Sequence, residues 1–418
     1  MVKRSILKCT ACDKAFVFRI AVGCSYTHKF RFNCPFCGIE MHGVITVNFR
    51  NPDGSVNSIS NTDSFVRISN SKELPLDSLD ENDLIAVSVF TDIPILNDYH
   101  ICAASKSKIM PNMQTIMCLK EKAQIFISML NNFYELPEDE FWLIRDAYRK
   151  YQNNELDEAS EILDKISQKL PDRLSLVPSI CGILYNIYFA GLIGHWDNIE
   201  QHMGLISDLI KKDQSKIFDV PMELSNIGNI EFLIEKGFDF SEDVFNSKEF
   251  LSIAHYLDFI DLQNSPKYRI THDYPEQFFH LYEQACEYAH NIIKIQIGYL
   301  NVLYRNSINC FSVTKYTNYS TFFKKARLFD SLDLIKEHVI LGQYYNNIID
   351  RNIRNGIAHR SIGFSHDGQE IIIKKDTTEI RIPHDEMLKK LIDVCRVCIT
   401  GFGIITDQKR IIADEPWK

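Results

Sequence analysis

Apolar and polar positions alternate along the first fifty residues. Ala15-Phe-Val-Phe-Arg-Ile20, Lys29-Phe-Arg-Phe32 and Gly43-Val-Ile-Thr-Val-Asn-Phe49 each repeat every second residue, the period of a half-buried strand. A small β unit over 1–50 is expected. Over 51–114 the periodicity fades into Asn, Ser and Asp, with one strand expected at Leu84 to Phe90. That segment reads as an acidic linker or a partly ordered connection. From about 115 the period becomes helical and stays so almost to the end. Trp142 to Ile166 predicts a helical hairpin with its turn at Asn153-Asn154 and the small residues Ala147 and Ala159 where two helices approach. Further helices are expected over 176–210 and 222–258, with Gly237 as a C-terminal cap, and these complete a helical middle domain over 115–262. Gln263-Asn-Ser-Pro-Lys267 marks a boundary. Beyond it, over 268–410, come a long helix from Pro275 to Arg305, a second from Ser331 to Asn355, a β-hairpin turning at Asp367-Gly368, and a last helix from His384 to Gly401. The fold class is mainly α with a small β unit at the N-terminus.

The hairpin at 142–166 resembles a single tetratricopeptide unit. No second copy follows one period later, and repeat architecture needs several stacked units, so an ordinary antiparallel pair is expected.

Composition narrows the classes. The chain has 418 residues, of which 45% are hydrophobic and 24% charged, with 17 Gly and 13 Pro. This excludes a mainly disordered or collagen-like chain and leaves room for more than one core. A net charge of −9 gives no global field for nucleic acid, so any such contact needs a local basic surface. Residues 1–50 offer one, with eight basic residues against two acids; residues 51–100 reverse the sign, with nine acids against two bases. Twelve cysteines are too few for a disulfide scaffold, and the first residues carry no apolar leader, so a cytoplasmic protein with reduced thiols is expected. Leu174 to Gly194 carries no formal charge and is long enough to span a bilayer. Pro178, three Gly and central Tyr185 and Tyr188 instead fit a buried helix pair, and no membrane partner is expected.

Two C-x2-C pairs, Cys9/Cys12 and Cys34/Cys37, flank the alternating segments. Each pair fits a tight turn with both thiolates on one side, and two such turns present four sulfurs tetrahedrally, as Zn2+ prefers. The expected cofactor is one structural Zn2+ in a zinc ribbon, with Gly38 closing the second turn; iron is the chemical alternative, since spacing does not distinguish the metals. Cys24 and His28 read as strand and loop residues, and Cys395-Arg-Val-Cys398 as core.

Asp350-Arg-Asn-Ile-Arg-Asn-Gly-Ile-Ala-His-Arg360 contains Arg354-Asn355-Gly356-Ile357-Ala358-His359, the pattern R-N-x-x-x-H at a helix end. Residues 268–410 here resemble the HEPN superfamily, helical domains of toxins, abortive-infection proteins and CRISPR-associated ribonucleases. The resemblance implies a metal-independent endoribonuclease acting as a toxin or anti-phage effector. It implies an RNA substrate and a homodimer in which two motifs face one cleft. It also implies a further polar residue on the first long helix, for which Glu283 and Glu287 are the candidates.

The chemistry asks for these residue types. Histidine is the side chain suited to moving the protons of RNA cleavage, the role expected of His359. Arg354 can stabilise charge on the phosphoryl oxygens, and Asn355 can orient either partner. Arg351 and Arg360 are expected to contact phosphate. On a regular helix Arg354 and His359 would point about 140° apart, so a local break at Gly356 is expected to turn them together. Two alternatives remain open. One is a non-catalytic HEPN-like dimerisation or RNA-binding protein, in which Arg354 and His359 merely answer the dipole at a helix C-terminus. The other is a zinc-ribbon nucleic-acid-binding regulator. In the nuclease reading the basic ribbon senses a protein or nucleic-acid trigger or engages substrate.

Overall fold

In β1 (Val2–Cys9), β2 (Ala15–Ala21) and β3 (Thr27–Asn33) both faces are covered, and Ser5, Val17, Arg19 and Arg31 are buried as well as the alternating apolar positions. Along β4 (Glu40–Val47) burial follows the two-residue period read from the sequence, with Met41, Gly43 and Ile45 buried and His42 and Val44 exposed. Phe16 and Phe18 of β2 meet Phe30 and Phe32 of β3, with ring centroids 4.9 Å apart for Phe18 and Phe32 and 5.5 Å for Phe18 and Phe30. Leu7, Met41, Ile45 and Val87 complete this core. Gly43 faces Phe30 across the β3–β4 ladder, and the phenyl ring occupies the space a Cβ would need.

These coordinates come from a computed structural model that describes residues 2–21, 27–47, 64–75, 84–90, 95–97, 102–103, 138–167, 197–247, 251, 268–270, 275–365, 369–375 and 378–413. The chain is mainly helical with small sheets. It forms two compact units, each assembled from three separated segments: Met1–Ile127, Ser247–Phe279 and Gly356–Lys389 in the first, Ser128–Asn246, His280–Asn355 and Lys390–Lys418 in the second.

The first unit carries the sheets. Here the reading of 51–114 as a connection needs correction. β5 (Ser64–Ile68) pairs with β4, β6 (Ser71–Leu74) with β1, and β7 (Ile85–Phe90), the one strand expected there, lies parallel to β2. The hairpins β1–β2 and β3–β4 would otherwise leave backbone donors and acceptors bare along their edges. The short edge strands β5 and β6 and the apolar β7, internal to its sheet, satisfy them, and the shortness of β5 and β6 amid polar residues is what made that stretch read as linker. β8 (Ile95–Asn97) pairs with β10 (Tyr268–Ile270), β9 (Cys102–Ala103) with β7, and β11 (Ile362–Phe364), β12 (Glu370–Lys375) and β13 (Thr378–Pro383) form the C-terminal meander, whose expected turn at 367–368 lies outside the described residues.

The second unit is helical. α1 (Glu138–Gln152) and α2 (Leu156–Ser167) form the expected hairpin, with Asn154 left-handed at φ 67° and Ala147 and Ala159 fully buried. α3 (Asp197–Asp213), α4 (Asp219–Asn226) and α5 (Ile230–Asn246) follow. α6 (Pro275–Arg305) has the expected bounds, and α7 (Tyr319–Lys325) breaks the polar stretch after it. The single helix expected over 331–355 is instead three: α8 (Leu328–Ile335), α9 (Val339–Ile348) and α10 (Arg351–Ala358). Two N-caps cause the breaks. His338 Nδ1 accepts from the Leu341 amide at 3.3 Å, and Asp350 Oδ1 accepts from Asn352 and Ile353 at 2.8 and 3.3 Å. α11 (His384–Ala413) closes the chain, beyond the expected end at Gly401. Cys395 and Cys398 on it are fully buried, as core. No helix among the described residues is long and apolar enough to cross a membrane; Leu174 to Gly194 lies outside them.

Gly237 is not a cap. It lies inside α5, and a Cβ there would run into the Phe402 ring of α11 and the Tyr288 hydroxyl of α6. Gly237→Ala should therefore cost about 1 kcal/mol, because overpacking of about 1–3 kcal/mol outweighs the ~1 kcal/mol gain in helix propensity. Urea melts measure it, and a stabilised variant would contradict this packing.

Two imidazoles are buried in the same unit. His202 of α3 is 2% exposed, packs edge-on against Tyr299, and finds no hydrogen-bond partner for either ring nitrogen among the described residues. Burial depresses it to about 4. His290 of α6, bonded to Ser331 Oγ at 3.0 Å, is depressed to about 3 by burial and by the neighbouring Lys294 and Arg354. Unfolding frees both to bind protons near their ordinary value of about 6.5. Stability is thus fully present above that pH and is lost as pH falls from 6.5 toward 4. The loss should reach several kcal/mol, since each pH unit is worth about 1.4 kcal/mol per group. His202→Leu should flatten the pH dependence of urea midpoints between 7.5 and 5, values bracketing about 6.5; an unchanged slope would refute the assignment.

Candidate functional site

The two C-x2-C turns carry the same backbone pattern. Asp13 N–H donates to Cys9 O at 3.0 Å and Gly38 N–H to Cys34 O at 2.9 Å, while Cys9 N–H reaches Lys14 O at 3.0 Å and Cys34 N–H reaches Ile39 O at 2.8 Å. Both turns close through a left-handed residue directly after the second cysteine, Asp13 at φ 61° and Gly38 at φ 75°. The Lys8 ammonium holds the Asp13 carboxylate at 2.8 Å.

These turns join β1 to β2 and β3 to β4, so the strands that share the phenylalanine core also bring the thiols together. All four sulfurs lie within 4.8 Å of one another, with Cys9 to Cys37 at 3.8 Å and Cys12 to Cys34 at 3.7 Å. A metal–sulfur bond of about 2.3 Å puts tetrahedral sulfurs about 3.8 Å apart, so the cradle has the size of a tetrahedral metal site. Burial pushes the Cys9 thiol up, but the Cys12 and Ala11 amides outweigh it and bring the thiol down to about 7; at Cys34 burial prevails and lifts the thiol to about 12. Four thiolates at this spacing repel one another, and a divalent cation is what would let them ionise together. Cys24 lies outside the described residues. His28 pairs with Ile45 near the far end of β3, about 20 Å of strand away from Cys34 at about 3.3 Å per residue.

The R-N-x-x-x-H segment occupies α10 and the turn after it. The helix continues through Gly356, so the break expected there is absent. Gly356 is small because a Cβ would lie 3.0 Å from Ile373 of β12. The backbone turns instead at Arg360, left-handed at φ 53°. Ser361 N–H donates to Gly356 O at 2.8 Å and Arg360 N–H to Ile357 O at 3.0 Å. This is a Schellman motif with exposed His359 at the C-cap and an arginine where glycine is usual. Arg360→Gly should raise stability by about 1 kcal/mol, because L-residues pay about that much for a left-handed backbone. Urea melts test this, and a variant that is not stabilised would refute it.

Arg354 and Asn355 are half-buried in the second unit, whereas His359 belongs to the first. Arg354 Nη2 meets Glu287 Oε1 of α6 at 2.6 Å, and its buried Nε has no partner among the described residues. Of the two candidates on the first long helix, Glu287 is the one that pairs. The same face of α6 carries His290 and Lys294, three and seven residues on. Burial brings the Lys294 ammonium down to about 8 against the opposing pull of Glu287, and its Nζ donates to Phe323 O at 2.8 Å. Sequence reasoning passed over His290 and Lys294, whose signal is a row of polar residues at helical spacing on an otherwise apolar helix. Arg351 opens α10 and lies over the Phe329 ring, 4.9 Å from its centroid.

No protein-family model matches this chain, and neither a curated protein nor a solved structure matches it.

Proposed function

We propose that the chain is a metal-independent endoribonuclease of HEPN type, acting as a homodimeric cytoplasmic effector of anti-phage or stress defence. The observation that carries this reading is the Glu287–Arg354 pair, because it supports a motif arginine held by a polar residue of the first long helix, the arrangement the resemblance calls for. The exposed His359 at the end of the same short helix is free to reach a substrate.

In this mechanism the 2′-hydroxyl of RNA loses its proton to a neutral imidazole and attacks the adjacent phosphorus. A new oxygen–phosphorus bond forms, the bond to the 5′-oxygen breaks, and an imidazolium protonates the leaving oxygen. The products are a 2′,3′-cyclic phosphate and a 5′-hydroxyl. One His359 per chain cannot hold both protonation states at once, and a second copy supplies the other. Arg354 stabilises the charge that develops on the non-bridging oxygens. The four-cysteine cradle would hold Zn2+, whose role is to fix the two turns; Arg19 and Arg31 are buried, and among the described residues Arg4, Lys8 and Lys14 are the bases of that unit that would meet RNA or a trigger.

The same ion pair also fits a second reading, in which Arg354 only ties α10 to α6 and the protein binds RNA without cutting it. Incubation of the purified dimer, its metal site loaded, with RNA and with DNA of the same sequence separates the two. The nuclease should cut RNA without added divalent metal, leave cyclic phosphate ends and spare DNA. Intact RNA under conditions where the protein exerts its biological effect would favour the second reading.

A further inference from the structure

A hollow of about 240 Å3 opens between α8, α9 and the start of α10, lined by Phe329, Asp333, Lys336, Asn346, Asp350 and Arg351 among others. We propose that it is a nucleotide subsite that seats one base of the RNA strand on the Arg351 guanidinium and accepts adenine, cytosine and uracil alike. The proposal rests on the ribonuclease reading for its biological purpose, though not for its chemistry.

Arg351 is exposed and makes no ion pair among the described residues. It stands at the N-terminus of α10, beside the Asp350 carboxylate that caps the helix. The guanidinium over half-buried Phe329 forms a flat cationic platform, the kind of surface on which unstacked bases lie. Arg354 is three residues on, one turn along the helix and about 5–6 Å away between Cβ atoms. A base on Arg351 thus sets its phosphate near the arginine proposed to act in cleavage.

The walls supply partners for a base edge. Asp350 Oδ1 is taken by two backbone amides, which leaves Oδ2 as an acceptor. Asn346 gives one amide N–H to Gly342 O at 2.6 Å, which leaves its own oxygen and a second N–H. Asp333 adds a carboxylate held by Lys336 at 2.7 Å, and the Lys336 ammonium and the Arg351 fork add donors. Donors and acceptors stand together, so the edges of adenine, cytosine and uracil all find partners. The volume is below the about 300–1,000 Å3 of sites for drug-sized ligands, as suits a single base.

Titration of the full chain with 5′-AMP, 5′-CMP and 5′-UMP, followed by NMR or equilibrium dialysis, tests the subsite directly. All three should bind saturably at millimolar or lower concentration and within a few-fold of one another. Phe329→Leu and Arg351→Gln should each weaken AMP binding about tenfold, the loss of one stacking partner, with unchanged melting temperatures because both side chains reach the surface. No saturable binding of any of the three, binding of one alone, or binding insensitive to both substitutions would overturn the proposal. RNA cleavage by a protein that does not bind AMP would sink the subsite alone; AMP binding by a protein that never cuts RNA would sink the nuclease reading alone.

Discussion

His359→Ala should lower RNA cleavage by about 10²- to 10⁴-fold, the usual contribution of a positioned general acid or base. The side chain is exposed at a helix C-cap, so its removal takes nothing from the core and the variant should melt with the parent protein. Arg354→Lys should cost about 10²- to 10³-fold in cleavage rate, because an ammonium cannot hold Glu287 and a phosphoryl oxygen in one planar fork. The guanidinium is 28% exposed and its partner carboxylate 47%, so solvent screens their attraction and the pair contributes little to stability. Glu287→Gln discriminates between roles. If Glu287 orients Arg354 for catalysis, the substitution lowers the rate at saturating RNA and leaves the melting temperature unchanged. A fall in stability with unaltered cleavage would make the pair structural, and full cleavage by His359→Ala would end the mechanism.

Removal of the metal, by chelation or by Cys34→Ser, should unfold the strands that the two cysteine turns join while the helical unit keeps its own transition. Zinc binding contributes about 10–16 kcal/mol to the folding of isolated zinc-finger peptides. Here the stacked phenylalanines of β2 and β3 hold part of the unit without it, so the loss should be smaller and most severe near the turns. Hydrogen exchange should show protection vanishing first at the amides of Asp13 and Gly38, which bond back to Cys9 and Cys34. Metal analysis should return one equivalent per chain. A colourless protein would favour zinc, and a red one iron on the same sulfurs. Unchanged protection of these amides in metal-free protein would refute a structural role.

Residues that act within a few positions of one another were legible in the chain itself. The cysteine pairs were readable because a C-x2-C turn is closed by its own backbone, and Gly38 announced the left-handed step that Asp13 repeats less visibly. The bounds of α6 and the hairpin at Asn153-Asn154 followed from period and turn chemistry alone. The arginine and histidine of the motif stood out by type and spacing. What depended on distant partners did not show. The acidic stretch after residue 51 read as a connection because β5 and β6 are short edge strands set among polar residues, and only the open ladders of β1 and β4 explain why they form. One helix over 331–355 became three because His338 and Asp350 spend their side chains on the backbone, an alternative that apolar periodicity does not register. Gly237 and Gly356 looked like a cap and a hinge, yet each is small because a side chain from another element, Phe402 or Ile373, fills the space beside it. Glu283 and Glu287 lie one turn apart on α6 with the same local chemistry. The choice between them belongs to tertiary packing, which brings Arg354 of α10 to one and not to the other, since a helix specifies its faces and not what arrives against them.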